Sequence, residues 1–142
     1  MVEDLPSCET CAQQFYASSR FLVDFKIERF CQVWKALFES GAGVVFILVD
    51  GDATIGTIGG VIHADLYSGR QVATEFFWFV QDGHRGAGLK LYRMFEAWAR
   101  EQGATEIRMV HLMDSMPEKL SRVYHHLGFV PIETHYAKGL VA

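Results

Sequence analysis

Ala73-Thr74-Glu75-Phe76-Phe77-Trp78-Phe79-Val80, followed by Gln81-Asp82-Gly83-His84-Arg85-Gly86-Ala87-Gly88-Leu89-Lys90-Leu91, is the stretch that decides the fold. Its first half is aromatic and β-prone. Beyond it Leu91, Met94, Phe95 and Trp98 recur at helical spacing, while Arg93, Glu96 and Arg100 take the other face. An apolar strand therefore runs through a glycine-rich loop into a helix. At such a junction the first helical amides lack intrahelical partners, the macrodipole is positive, and glycines admit an anion to the backbone. Two other phosphate patterns do not fit. Gly83 and Gly88 have P-loop spacing, but Leu89 separates Gly88 from Lys90 and no hydroxyl follows; Gly86-Ala87-Gly88-Leu89-Lys90-Leu91 lacks the third glycine of a dinucleotide fingerprint. A plain strand-to-helix turn is the remaining alternative.

Working outward, a short helix is expected after Pro6-Ser7, with Ser7 as its cap. A longer one follows, because Ile27, Phe30, Cys31, Trp34, Leu37 and Phe38 form an apolar stripe that ends at Gly41. Val44–Val49, Thr54–His63 and Gln71–Val80 read as an antiparallel meander joined at Asp50-Gly51-Asp52 and near Ser68-Gly69. The loop helix spans about Gly88–Glu101, and Glu106–Met113 reads as a strand that the crossover places parallel to the one before. Ser115-Met116-Pro117-Glu118 matches a capping box, Leu120, Val123, Tyr124 and Leu127 share the apolar face of the helix it opens, and Gly128 stops that helix. Phe129–Ile132 and Thr134–Lys138 read as closing strands. The prediction is an α/β fold: one domain over residues 1–142, with a central mixed sheet flanked by helices.

The 142 residues are half apolar, enough for one sizeable core. No apolar run reaches membrane-spanning length and no secretory start is visible, so the expected setting is the cytoplasm, with no membrane partner. Of the three cysteines, Cys8 and Cys11 have metal-like or redox-like spacing, but no second pair completes a site, so packed thiols are expected and no metal. His125 and His126 cannot share a helix face and lack ligand spacing with His63, His84 or His135. Net charge is −4, with ten acids against five bases over residues 1–80 and seven against eight over 81–142. Arg85, Lys90 and Arg93 gather at the loop. The anionic balance argues against a nucleic-acid partner and favours a cationic acceptor.

The loop Arg85-Gly86-Ala87-Gly88-Leu89-Lys90 resembles the acyl-CoA loop of the GNAT family of N-acetyltransferases, whose pattern is Arg or Gln, two residues, Gly, one residue, then Gly or Ala. Lys90 departs at the last position, where a cationic side chain could meet phosphate. Tyr124-His125-His126-Leu127-Gly128-Phe129 resembles the family's Tyr-x-x-x-Gly-Phe. The resemblance covers about residues 43–138, with residues 1–42 similar only in helical character. It implies a GNAT-like fold that transfers acetyl from acetyl-CoA, as cosubstrate, to a primary amine on a small molecule or peptide, with room for a homodimer. A non-catalytic acyl-CoA-binding or protein-interaction module of the same fold is the other reading. The family's asparagine before the tyrosine is Pro117 here, so its pantetheine contact is expected to be absent or to fall to Asp114 or Ser115.

Acetyl transfer needs a base for the amine, stabilisation of the carbonyl oxygen and a proton for the leaving thiolate. The resemblance assigns Tyr124 to the last task, since a phenol with pKa near 10 stays protonated at neutral pH; the alternative is a core tyrosine. Glu75 is the only ionisable residue of its aromatic strand, where desolvation would raise its pKa and improve it as a base. A structural or solvated carboxylate is the other possibility, a bulge could change the face it occupies, and His111 is the runner-up base. The resemblance further implies that Phe79 and Val80 offer main-chain groups to the cosubstrate, and that Arg85, Gly86, Ala87, Gly88, Leu89 and Lys90 hold its pyrophosphate. Glu133 and His135 are candidate acceptor contacts on the closing strands, or simply solvated residues.

Overall fold

Gly51, at φ +58°, makes the turn that folds β1 (Gly43–Asp50) back on β2 (Ala53–Ala64), and Asp65–Arg70 returns the chain to β3 (Gln71–Val80). Asp65 Oδ1 holds that second turn by accepting the Ser68 amide at 2.9 Å and the Ser68 hydroxyl at 2.8 Å. The structure is a computed structural model that describes residues 2–17, 19, 24–84, 86–113 and 117–140. The three antiparallel strands are joined by β4 (Glu106–Arg108), which pairs parallel to β3 after the crossover helix α3 (Ala87–Glu101), in the sheet order β1-β2-β3-β4. The mixed sheet is therefore the one expected.

Helices cover both faces. On one, α1 (Glu9–Ala17) and α2 (Ile27–Glu39) lie against aromatic β3 residues, with Trp34 and Phe30 centred 5.3 and 5.5 Å from Phe77. On the other, Leu91, Phe95 and Ala99 of α3 bury themselves against Ile58 and Ala73. Gly59 and Gly60 make both layers fit. A Cβ on Gly59 would collide with the Phe77 ring, and one on Gly60 would lie 2.6 Å from Phe95 Cε2. Each glycine thus lets a ring cross the strand on its own side.

Several expectations need correction. The strand expected over Glu106–Met113 is only Glu106–Arg108, since β3 meets it at Val72–Thr74 and then parts from it. The closing strands expected at Phe129–Ile132 and Thr134–Lys138 are absent among the described residues, where the chain after α4 (Pro117–His126) is irregular. Physically, β4 offers only a three-residue edge and Pro131 has no amide for a ladder. Ser7 donates its hydroxyl to Asp4 O at 2.7 Å, within a 3-10 helix over Val2–Cys8, and does not cap α1. The capping-box residues Ser115 and Met116 lie outside the described residues. Cys8 and Cys11 are buried, burial pushing the Cys8 thiol up to about 11; Cys11 Sγ donates to Thr54 O at 3.5 Å.

Candidate active site

The site begins with a bulge. Gly59 pairs with Phe77 and Gly60 with Glu75, so Phe76 is an extra residue with no partner on β2. A bulge interrupts the alternation of side chains. Phe76, Phe77 and Phe79 consequently all line the α1–α2 side, whereas Glu75 and Trp78 share the side of α3 and α4. The bulge falls just after Thr74, where β3 and β4 separate. From there on, the β3 main-chain groups that point away from β2 meet no strand on that edge among the described residues, up to and including Phe79 and Val80.

Across this opening seam, the Glu75 side chain replaces the lost ladder. The Val110 N–H donates to Glu75 Oε2 at 2.8 Å, and the Tyr124 hydroxyl donates to the carbonyl oxygen of the same residue at 2.6 Å. One residue, Val110, thus ties together a carboxyl from β3 and a phenol from α4. Glu75 is 3% exposed, and burial pushes its carboxyl up to about 8 against the opposing pull of the Val110 N–H. Tyr124 is 9% exposed; burial, and then the charge of Glu75, hold its phenol well above the ordinary range. At neutral pH the phenol is protonated and the carboxyl is held close to its own titration point. His111, the other expected base, is exposed, with its ring edge-on to Tyr124 at 6.2 Å.

The glycine loop adjoins this centre through Trp78. The indole lies 6.3 Å from both Tyr92 and Tyr124, and a Cβ on Gly88 would come within 3.3 Å of it. Gly86, at φ +81°, is the N-cap of α3, a conformation that favours glycine, and no side chain caps the helix. Nor does the first turn carry an acid, so its positive end is not neutralised there. The amides of Ala87 and Lys90 are used, donating to His84 O at 3.3 Å and Gly86 O at 3.1 Å. An open depression of about 520 Å³ runs from Gly86 past Leu89, Lys90 and Arg93 along α3. Arg85 lies outside the described residues, as do Asp114 and Ser115. Glu133 and His135 are exposed and pair with each other at 3.1 Å, on no hairpin.

Sequence reasoning missed three features of the site. Val110 contributes only main-chain atoms, so no side-chain motif marks it. Trp78 was read simply as part of an aromatic strand, yet its Nε1–H is buried with no hydrogen-bond partner among the described residues. Phe76 as the bulge residue had a signal: adjacent glycines, Gly59-Gly60, opposite an aromatic run.

With this geometry in view, comparison with known proteins defines the class. The sequence profile described as the acetyltransferase (GNAT) family matches residues 9–129, and the chain belongs to that family. No curated protein matches the sequence. Among solved structures, an acetyltransferase from Trypanosoma brucei is similar at 19% identity and TM-score 0.71, with 99% of this chain and 95% of that chain covered. An aminoglycoside N-acetyltransferase in complex with CoA is similar at 18% identity and TM-score 0.73, covering 98% and 90%. Glucosamine-6-phosphate N-acetyltransferase from Arabidopsis thaliana follows at 12% identity and TM-score 0.70, covering 96% and 94%. Likeness at such identities shows the fold. No described helix is long and apolar enough to cross a membrane.

Proposed function

We propose that the protein is an N-acetyltransferase that moves the acetyl group of acetyl-CoA directly to a primary amine, with Glu75 as base and Tyr124 as acid. The observation that carries this reading is the pairing of the two side chains on Val110 at the seam where β3 and β4 part. Family membership supports acetyl transfer in general, and the CoA complex of a structural relative supports acyl-CoA as donor.

The residues present suit such a donor. Gly86 and Gly88 keep side chains away from an uncapped helix start, Lys90 and Arg93 supply positive charge beside it, and Trp78 offers a buried donor that an acceptor on the ligand would satisfy. Since the Lys90 amide donates to Gly86 O, we assign the pyrophosphate to the other first-turn amides and the Lys90 side chain, with Arg85, Ala87 and Leu89 as the remaining proposed contacts of the loop. The unpaired β3 edge towards Phe79 and Val80 serves the pantetheine arm.

In the reaction the amine, with pKa near 10 when free, first gives a proton to Glu75, directly or through water. Its nitrogen then attacks the thioester carbonyl carbon, the C–N bond forms, the nitrogen gives up its second proton to solvent and the C–S bond breaks. Tyr124 exchanges Val110 O for the departing sulfur and gives it a proton; the proton held by Glu75, or solvent, restores the phenol. No bond to the enzyme forms. The second reading is a non-catalytic acyl-CoA-binding module, and one observation favours it: Val110 already makes a hydrogen bond with each of the two side chains. Release of free CoA thiol from acetyl-CoA separates the two. Amine-dependent release across a panel of amines is expected of the enzyme, and tight acetyl-CoA binding without any such release would leave the binding module.

A further inference from the structure

Between α1, α2 and the sheet lies a cavity of about 250 Å³, outside the Glu75–Tyr124 centre. Of the fourteen described residues that line it, eight are aromatic and none is charged, with Phe15, Tyr16, Trp34, Phe76, Phe77 and Phe79 among them. Resting on the acetyltransferase reading above, we propose that this cavity takes the apolar body of the acceptor, and that the acceptor is a primary amine carried on an aryl-alkyl group.

Three observations carry the proposal. The first is position. The bulge sends Phe76 and Phe77 to the cavity while the preceding residue, Glu75, stays on the α4 side of the seam, so a group seated among the rings holds its amine beside the parted strands. Phe76, 56% exposed, forms the rim.

The second is chemistry. Among the described residues Thr57 and Tyr16 bring the only hydroxyls to the lining, and the Thr57 hydroxyl already lies 3.9 Å from Cys8 Sγ. A sugar or phosphate body would surrender its hydrogen bonds to water without replacement, whereas a hydrocarbon gains by burial. The aromatic faces also attract an ammonium at the rim, and a chain of net charge −4 favours a cationic ligand.

The third is size. A dry cavity of about 150 Å³ holds benzene. At about 250 Å³ this one has room for a phenyl ring with a short alkyl arm and too little for a multi-ring polar acceptor.

The test uses the full chain with acetyl-CoA and compares 2-phenylethylamine with ethanolamine. Burying the phenyl ring should raise kcat/KM about 30–100-fold for the aryl amine. Phe15→Ala should raise KM for 2-phenylethylamine about tenfold and leave ethanolamine turnover unchanged. Ala12→Leu, which fills the cavity, should do the same and provides a second variant should the first lose its fold. Calorimetry in the presence of CoA separates the two claims. Binding of 2-phenylethylamine that both variants weaken, without any turnover, supports the cavity and overturns the enzyme reading. Equal turnover of both amines, insensitive to either variant, overturns the cavity proposal while leaving the enzyme. A preference for octanoyl-CoA over acetyl-CoA that both variants abolish also overturns it, since the rings would then hold the acyl chain.

Discussion

The two faces of β3 solve opposite problems with adjacent residues. On the α3–α4 face Glu75 and Tyr124 are buried, each held by Val110 at 2.8 Å or less. On the α1–α2 face the neighbouring Phe76, Phe77 and Phe79 leave a cavity of about 250 Å³ among their rings. One extra residue separates these outcomes. Without the bulge, strict alternation would put Glu75 and Phe77 on one face and Phe76 with Trp78 on the other. The lesson is that a chemical centre and an apolar chamber are placed back to back by a local fault in pairing, at the point where the sheet opens.

The largest expected effect attacks the polar face directly. Tyr124→Phe keeps the ring between Trp78 and Phe129 but removes the proton, so turnover should fall about 10²–10⁴-fold with acetyl-CoA affinity retained. Full turnover when chemistry limits the rate would make Tyr124 a packing residue and dissolve the contrast between the faces.

Next in size is the loop that serves this face. Gly88→Glu places bulk and negative charge at an uncapped helix start and should weaken acetyl-CoA binding about 100-fold by calorimetry. Gly88→Ala, whose Cβ would lie 3.3 Å from Trp78, controls for packing alone. Unchanged affinity in the Glu variant would remove the phosphate from this loop.

Glu75→Gln sharpens the comparison through stability. The folded carboxyl titrates near 8 and the unfolded one near 4.3, so the fold favours the protonated form. That contribution is fully present below about pH 4 and is lost as pH rises through 8. Gln cannot ionise, so the variant should melt several degrees higher than the natural protein at pH 9, with the difference vanishing towards pH 4. A melting difference independent of pH would mean that Glu75 is not desolvated. The smallest effect is expected at Trp78→Phe, which deletes the buried unpaired donor and should weaken acetyl-CoA binding about fivefold, with little change in melting temperature.

Much of this was legible in the residues, for identifiable reasons. The meander, the helix after the loop and the inward face of Tyr124 follow periodicities of two and 3.6, and β3 runs over Gln71–Val80 as its composition indicates. Glu75 stood out because a lone carboxyl among aromatics is costly to bury. What periodicity could not supply was long-range. The early end of β4 depends on a side chain of β3 taking the Val110 amide, and the failure of 129–138 to form strands depends on how little edge β4 then offers. Val110 itself carries no side-chain signature at all.

The central claim, that Glu75 receives the amine's proton, is tested most directly by the pH dependence of kcat at saturating amine and acetyl-CoA. Turnover by the natural protein should rise with pH through an inflection near 8, as the buried carboxyl ionises, and Glu75→Gln should be slower with that inflection gone. The same inflection in both proteins would contradict the assignment and pass the role of base to His111 or to an acceptor that arrives already deprotonated.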